Sequence, residues 1–523
     1  MQPDWVALGV FIALFLAVTI LGFVAANWRK GDLNILHEWG LGGSRFGTLV
    51  TWFLLGGDLY TAYTFVAVPG LVYGKGAIGF FAMPYTIVVY PLVFLFMPRL
   101  WAVARKHGYV TASDFVRGRY DSHALALAVA FTGILATLPY IALQLFGIEV
   151  SIAEMGVNPE IALTIAFVIL AAFTFVSGLR APALIAVVKD VMIYLLIIIM
   201  VIYIPIQLGG YGHIFAAAQA HFTAANAAAV AAGKPPVGGI TLSSAGMVAF
   251  STLALGSALA LFMYPHAVTG VLASKDGHVV KRNMALLPAY SFLLGAIALL
   301  GYMAIAAGVK PDATYGANIA VPGLIHMMFP SWFAGFAFAA ISIGALVPAS
   351  VMSIAAANLF TRNIYKEYFR KGASPREEAT TAKTASLVVK VGALAFVLIP
   401  GATAYAIYLQ LLGGVWILQI FPALVFGLYT RWFNRWALLI GWAAGMIVGT
   451  YWAFQVNFAA TYTFTIGGQK YAIYTALAAF IINLVIAVVL TPVFNLAKAG
   501  NGQDATASAD YEQLSPVAAA VEG

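Results

Sequence analysis

LLGGDLYTAYTFVAVPG, residues Leu54 to Gly70, decides how the chain is read. The stretch lies in a run apolar enough to cross a bilayer, yet it carries Asp58, the pair Gly56-Gly57 and a Pro69-Gly70 break. An intramembrane charge is expensive and marks function. Gly and Pro inside a spanning helix free backbone groups, which must line a polar cavity or be buried in protein. The stretch therefore predicts a helix interrupted within the membrane. A counterpart is LALGSALALFMYPHAVTG, Leu253 to Gly270, five helices later and so running in the opposite direction. Interrupted helices at matching places in two inverted repeats point to a transporter's site near the midplane. The competing reading is that Gly56 and Gly256 merely allow close helix packing.

Composition agrees with a membrane setting. The 523 residues are 62% hydrophobic and 9% charged, against about 25% charged in a soluble domain. The formal charge of +8 is scattered over short loops, which excludes a nucleic-acid-binding face. There are no cysteines, so disulfide and thiol chemistry are excluded. The first apolar run, Trp5 to Ala26, is too long for a signal-peptide core and its leader Met1-Gln2-Pro3-Asp4 lacks positive charge, so it reads as a retained helix.

Spanning a bilayer takes about 20 apolar residues. Thirteen runs qualify, near 5–27, 46–70, 77–101, 123–150, 160–178, 184–208, 240–272, 281–308, 326–360, 384–400, 402–430, 435–456 and 471–495. They are too long and too continuous for barrel strands. Alternate connections hold nearly all the lysine and arginine; the other set holds only Lys75, Lys234, Lys310 and Lys470. By the positive-inside rule the N-terminus faces out and the C-terminus lies in the cytoplasm. The external loop from about 209 to 239 is Ala/Gly/Pro-rich and reads as loosely ordered. The cytoplasmic tail 501–523 reads as disordered and too short for an appended enzymatic or signalling domain.

Other polar residues recur in the runs. Tyr140 and Gln144 in LPYIALQLFG are four apart, on one helix face. Gln419 precedes Pro422 in a late helix. Either glutamine also fits a plain hydrogen bond to a neighbouring helix.

The stretch FLLGGDLYTAYTFVAVPG, with SGLRAPALIAVVKDVMIY, YPHAVTGVLASK and ANLFTRNIYKEY, resembles the sodium:solute symporter family, and within it the bacterial monocarboxylate permeases for lactate, pyruvate and related acids. The resemblance runs from about Trp5 to Pro492. It implies an all-α polytopic membrane protein with a leucine-transporter-like (LeuT-like) core. Two five-helix inverted repeats, about 46–208 and 240–430, would follow an extra helix, 5–27, and precede two more within 435–495. That total matches the thirteen runs, all within one transmembrane domain over residues 1–500. The two broken helices become core helices one and six. Substrate is then expected at the breaks, against core helices three, eight and ten. Position by position this nominates Gly56, Gly57, Thr61, Tyr63, Thr64, Tyr140, Gln144, Ser257 and Gln419. Backbone N–H groups at a half-helix N-terminus favour an anionic substrate.

The resemblance also implies a sodium site, made by carbonyls of broken helix one and a hydroxyl pair on core helix eight. Aligned on the shared LFTRNIYK end, that pair falls on Val347-Pro348, neither of which can ligate an ion, while Ser350 and Ser353 are displaced along the helix. Hence no metal is assigned. Lys189, about nine residues past Arg180 and so roughly 14 Å deep, offers a replacement. Its ammonium carries the charge of sodium, but gains or loses it with a proton. Lys189 is therefore expected to be the protonation site. Asp58 is its expected counter-charge, and Asp190 is set aside because adjacent helix residues do not face each other. His266 reads as a structural hydrogen-bonder near the cytoplasmic end of core helix six.

The expected function is alternating-access import of a small organic anion, coupled to a proton rather than sodium, in a bacterial inner membrane and with no cofactor. The alternative is a sodium-coupled symporter for an amino acid or other small solute. No nucleophile–base pair, metal cluster or phosphate loop supports an enzyme.

Overall fold

The computed structural model describes residues 2–28, 31–397, 404–500 and 502–515. Its long helices are α1 (Trp5–Val24), the pair α2 (Thr48–Gly56) and α3 (Val68–Lys75), α4 (Ala82–His107), α5 (His123–Ala153), α6 (Pro159–Ser177) and α7 (Arg180–Gln207). There follow α8 (Tyr211–Ala231), the pair α9 (Ser244–Leu261) and α10 (Pro265–Leu272), α11 (Pro288–Ala307), α12 (Ser331–Phe360), α13 (Pro375–Val397), α14 (Ile407–Ile417), α15 (Arg435–Gln455) and α16 (Thr475–Leu496).

Among the described residues, eleven helices are long and apolar enough to cross a membrane. The two expected runs missing from that set have visible reasons. Run 46–70 is split into α2 and α3, each too short to span alone. Helix α13 starts with Arg376, Glu377 and Glu378 and carries Lys383 and Lys390, and the end of its run, 398–400, falls outside the described residues.

Burial sorts the helices into layers. Every residue of the most apolar window of α12 is buried, so the bundle forms around it. The outer helices expose apolar side chains at helical spacing, such as Ile12, Leu16 and Ile20 on α1 and Ile481, Val485 and Val489 on α16. A face of that kind suits lipid rather than water.

The cation-bearing loops meet at one end of the bundle. Phe46 N–H donates to Ala273 O at 3.1 Å and Lys275 N–H to Phe46 O at 2.9 Å. Arg119 donates to Gly427 O at 2.9 Å and to Thr430 O at 2.7 Å. Residues 502–515, expected to be disordered, lie along this end. Asp504 pairs with Arg119 at 2.7 Å and Arg431 at 3.0 Å, and Asp510 with His107 at 2.8 Å. The charges in the tail complement the arginines, a signal that composition alone does not carry.

Two further expectations change. The segment read as a loose loop, 209–239, contains the helix α8, because alanine is the strongest helix former. Its buried Ile214, Ala218 and Phe222 repeat every four residues, and Phe222 meets Tyr302 of α11 edge-on at 6.4 Å. The last run does not begin at 471. A hairpin, β1 (Thr461–Ile466) and β2 (Gln469–Tyr474), turns at Gly467-Gly468 with φ of 58° and 78° and delivers the chain to α16. Both φ values are positive, as a two-residue hairpin turn requires.

Candidate substrate and coupling site

At the first break the backbone leaves α2 after Gly56 and re-forms as a wide π-helical turn, Tyr63–Ala67, before α3. The freed N–H groups are claimed by side chains. Thr64 Oγ1 accepts from Thr61 N–H at 3.0 Å and donates to Thr61 O at 2.9 Å, and Thr61 Oγ1 accepts from Tyr63 N–H at 3.0 Å. Gln144 Oε1 reaches from α5 to accept from Ala62 N–H at 3.2 Å. So Thr61, Thr64 and Gln144 hold the interruption open in low dielectric, where orphaned amides are costly.

The second break is made differently. Helix α9 stops at Leu261, residues 262–264 leave the helix, and Pro265 starts α10 at its first position, where its missing N–H costs nothing. Tyr264 ties the turn to α14 by donating its hydroxyl to Gln410 O at 2.9 Å.

The two breaks meet through Asp58 and His266. Asp58 Oδ2 lies 2.8 Å from His266 Nε2, a close approach outside hydrogen-bond alignment. The ring of His266 is flanked by Tyr140 of α5, centroids 5.5 Å apart, and by Tyr264 at 5.3 Å. Here the expected pairing of Asp58 with Lys189 is corrected, as is the placing of His266 near a helix end. His266 is the second residue of α10, directly at the break. Pro265 at a helix start was the sequence signal for that.

Lys189 lies on the other side of residues 57–60. Its ammonium, fully buried, donates to the carbonyls of Gly57 and, at 3.1 Å, Tyr60. Its partner is Asp190, with Nζ 3.0 Å from Oδ1. The helix rule against neighbours pairing fails because of Gly57. A Cβ there would stand 2.7 Å from Asp190 Oδ2 and 2.9 Å from Lys189 Nζ, so both side chains converge on a notch that only glycine leaves. Tyr290 of α11 donates its hydroxyl to Asp190 Oδ2, and Gly56 makes room for the Tyr290 ring, which a Cβ would approach to 2.5 Å. Tyr290 is the member that sequence reasoning missed, and Asp190 is the one it set aside.

The remaining nominated residues divide. Tyr63 is buried against Tyr85 of α4, ring centroids 6.3 Å apart, and Ser257 is buried with a hydroxyl that has no hydrogen-bond partner among the described residues, as are Asp58 Oδ1, Gln144 Nε2 and both ring nitrogens of His266. Unsatisfied polar atoms at the breaks, on Asp58, His266 and Gln144, mark a place where a ligand belongs. Gln419 is not brought to it. Its amide donates to Val415 O at 2.9 Å and accepts from Asn483 of α16 at 3.2 Å, so it ties α16 to the core. On α12, Val347 and Pro348 are buried, and one turn earlier Gly344 faces Tyr60 O at 3.5 Å from its would-be Cβ. The nearby hydroxyls look elsewhere: Ser350 meets Thr174 of α6 at 2.9 Å and Ser353 meets Ser386 of α13 at 3.2 Å. The Tyr60 carbonyl is met instead by the Lys189 ammonium.

Comparison with known proteins places this geometry. The monocarboxylate transport permease protein of Rhizobium johnstonii (strain DSM 114642 / LMG 32736 / 3841) is 54% identical over 92% of this chain and 96% of its own length. The uncharacterized symporter YodF of Bacillus subtilis (strain 168) is 33% identical over 94% and 95%. Among solved structures, a substrate-bound, outward-open Na+-coupled sialic acid symporter superposes with a TM-score of 0.70 over 94% of this chain and 98% of that one, at 16% identity. Mhp1, a nucleobase-cation-symport-1 family transporter in a closed conformation, gives 0.54 over 92% and 99%, at 13% identity. These two carry the fold alone, the leucine-transporter-like architecture. The model of the sodium:solute symporter family matches residues 39–449. The chain belongs to the sodium:solute symporter family and is a multi-pass secondary symporter.

Proposed function

We propose that this symporter imports short monocarboxylates such as lactate, pyruvate and propionate, and that the coupling ion is a proton carried on Lys189. The substrate class is supported by the 54% identical permease, which the chain matches over nearly its whole length. The coupling reading is carried by one observation, the Lys189 ammonium seated on the Gly57 and Tyr60 carbonyls beside Asp190. Sodium needs several hard oxygens, as hard cations do. Where α12 lacks them, a titratable cation supplies the same charge.

On this reading the proton and the anion travel together. Lys189 touches the broken helix α2/α3, and Asp190 touches α11 through Tyr290, so α7 grips two of the elements that move in alternating access. Loss of the proton would loosen that grip on the inward side. The basic end of the bundle would face the cytoplasm, with the N-terminus outside and the tail inside a bacterial plasma membrane.

The test is uptake of labelled pyruvate into proteoliposomes under an imposed proton gradient without sodium, with lactate, propionate, alanine and proline as competitors. Proton-driven uptake inhibited by lactate and propionate supports the proposal. Strict sodium dependence, or inhibition by proline and alanine alone, overturns it in favour of a sodium-coupled amino-acid carrier.

A further inference from the structure

Resting on the monocarboxylate reading, we propose that His266 receives the carboxylate of the substrate. A buried carboxylate needs a charged or strongly polar partner, because an uncompensated ion in low dielectric is prohibitive. Lys189 cannot be that partner while it is engaged by two carbonyls and Asp190. His266 is the other cationic candidate at the breaks. It is 2% exposed, its Nε2 approaches Asp58 Oδ2 at 2.8 Å outside hydrogen-bond alignment, and neither ring nitrogen has a hydrogen-bond partner among the described residues. An imidazolium has two N–H donors, one on each nitrogen. Asp58 lies beside Nε2, leaving Nδ1–H for the carboxylate of the substrate, whose negative charge is met further by the free N–H groups at the start of α10.

The surroundings favour an anion at that nitrogen. His266 is the second residue of α10, and the first N–H groups of a helix have no intrahelical acceptor. Val268 N–H to Tyr264 O, at 3.2 Å, is where the α10 bonding begins. The Tyr140 and Tyr264 rings flank the imidazole, and aromatic faces suit a cation. Gln144 Nε2, one turn along α5 from Tyr140 and without a hydrogen-bond partner among the described residues, remains for the 2-oxo or 2-hydroxy oxygen of the substrate.

The other groups facing the ring do not compete. Tyr85 and Tyr90, the buried phenols of α4, interact electrostatically with Asp58. The segments Thr48–Gly56 and Ser331–Phe360, which pack on α10, contain no ionisable side chain. In the short helix Leu36–Leu41, also packed there, Glu38 is taken by Arg45 and Arg180, and His37 by Ser44 at 3.1 Å.

The test compares pyruvate with pyruvamide, its neutral isostere, as ligands of purified full-length protein, read by thermal shift and by inhibition of labelled pyruvate uptake. Wild type should prefer pyruvate. His266→Gln should lose roughly ten- to hundred-fold in pyruvate affinity, the worth of a charge-assisted hydrogen bond, and little for pyruvamide. A structural role would weaken both ligands alike and overturns the proposal, as does unchanged preference in the variant. Should His266→Gln not fold, infrared difference spectra of wild type carrying ring-15N histidine decide. Pyruvate should shift an isotope-sensitive imidazole band that pyruvamide leaves unmoved, and absence of that band refutes the assignment. If wild type binds neither pyruvate, lactate nor propionate, the monocarboxylate reading itself has failed, a result distinct from a silent His266.

Discussion

Removing both charges of the buried pair, in Lys189→Met/Asp190→Asn, should uncouple transport without unfolding the protein. Lys189→Met alone would leave Asp190 buried, with Tyr290 as its remaining hydrogen-bond donor. Breaking one side of a buried pair costs about 3–5 kcal/mol, a large part of a typical stability of about 5–15 kcal/mol. Replacing both partners by neutral residues of similar volume is often close to neutral, so the double variant is the cleaner perturbation. The magnitude to be read follows from the stoichiometry. One titrating amine carries one proton, and one pH unit is worth about 1.36 kcal/mol, hence tenfold accumulation per pH unit. Proton plus monocarboxylate is electroneutral, so clamping 100 mV, worth about 2.3 kcal/mol per elementary charge, should change nothing. The assay is labelled pyruvate in sodium-free proteoliposomes, corrected with protein-free vesicles for undissociated acid crossing the lipid. Wild type should concentrate pyruvate about tenfold per pH unit, and the double variant should only equilibrate it. If the folded double variant still concentrates pyruvate with the pH gradient, the assignment of the proton to Lys189 is wrong.

Gly57→Ala should abolish transport and lower stability by about 1–3 kcal/mol, an overpacking cost, since its Cβ would meet the Phe53 carbonyl oxygen at 2.3 Å as well as Asp190 Oδ2 at 2.7 Å and Lys189 Nζ at 2.9 Å; thermal denaturation and uptake check both. Gln144→Leu removes the acceptor of Ala62 N–H and should cost about 1–3 kcal/mol, seen as a lower melting temperature and a raised KM. Asp504→Asn removes the carboxylate shared by Arg119 and Arg431; limited proteolysis should then cut within residues 502–515 faster, while pyruvate affinity stays unchanged.

Much of the fold was legible because a bilayer leaves few options. Apolar runs of spanning length, the Gly-Gly pair and the family motifs set the broken helices and the repeat arrangement, whereas Pro69-Gly70, read as a break, lies within α3, past the interruption that follows Gly56. What escaped was tertiary. Asp190 was set aside by a rule for straight helix faces, which holds until a glycine on the facing segment lets two neighbours converge. Gln419 matched the family pattern, yet its side chain is spent on Val415 and Asn483, a choice that spacing does not encode. The alanine-rich stretch at 209–239 looked like a linker by composition although alanine is the best helix former. The tail revealed itself only through its match to arginines far away in sequence.

The central claim, that a buried amine carries the coupling proton, is tested most directly by counting protons. In lightly buffered, sodium-free proteoliposomes, a pH-sensitive dye should report one proton entering per pyruvate taken up by the protein, after subtraction of protein-free vesicles. Uptake that stalls without sodium, or proceeds with no accompanying proton, would contradict the account.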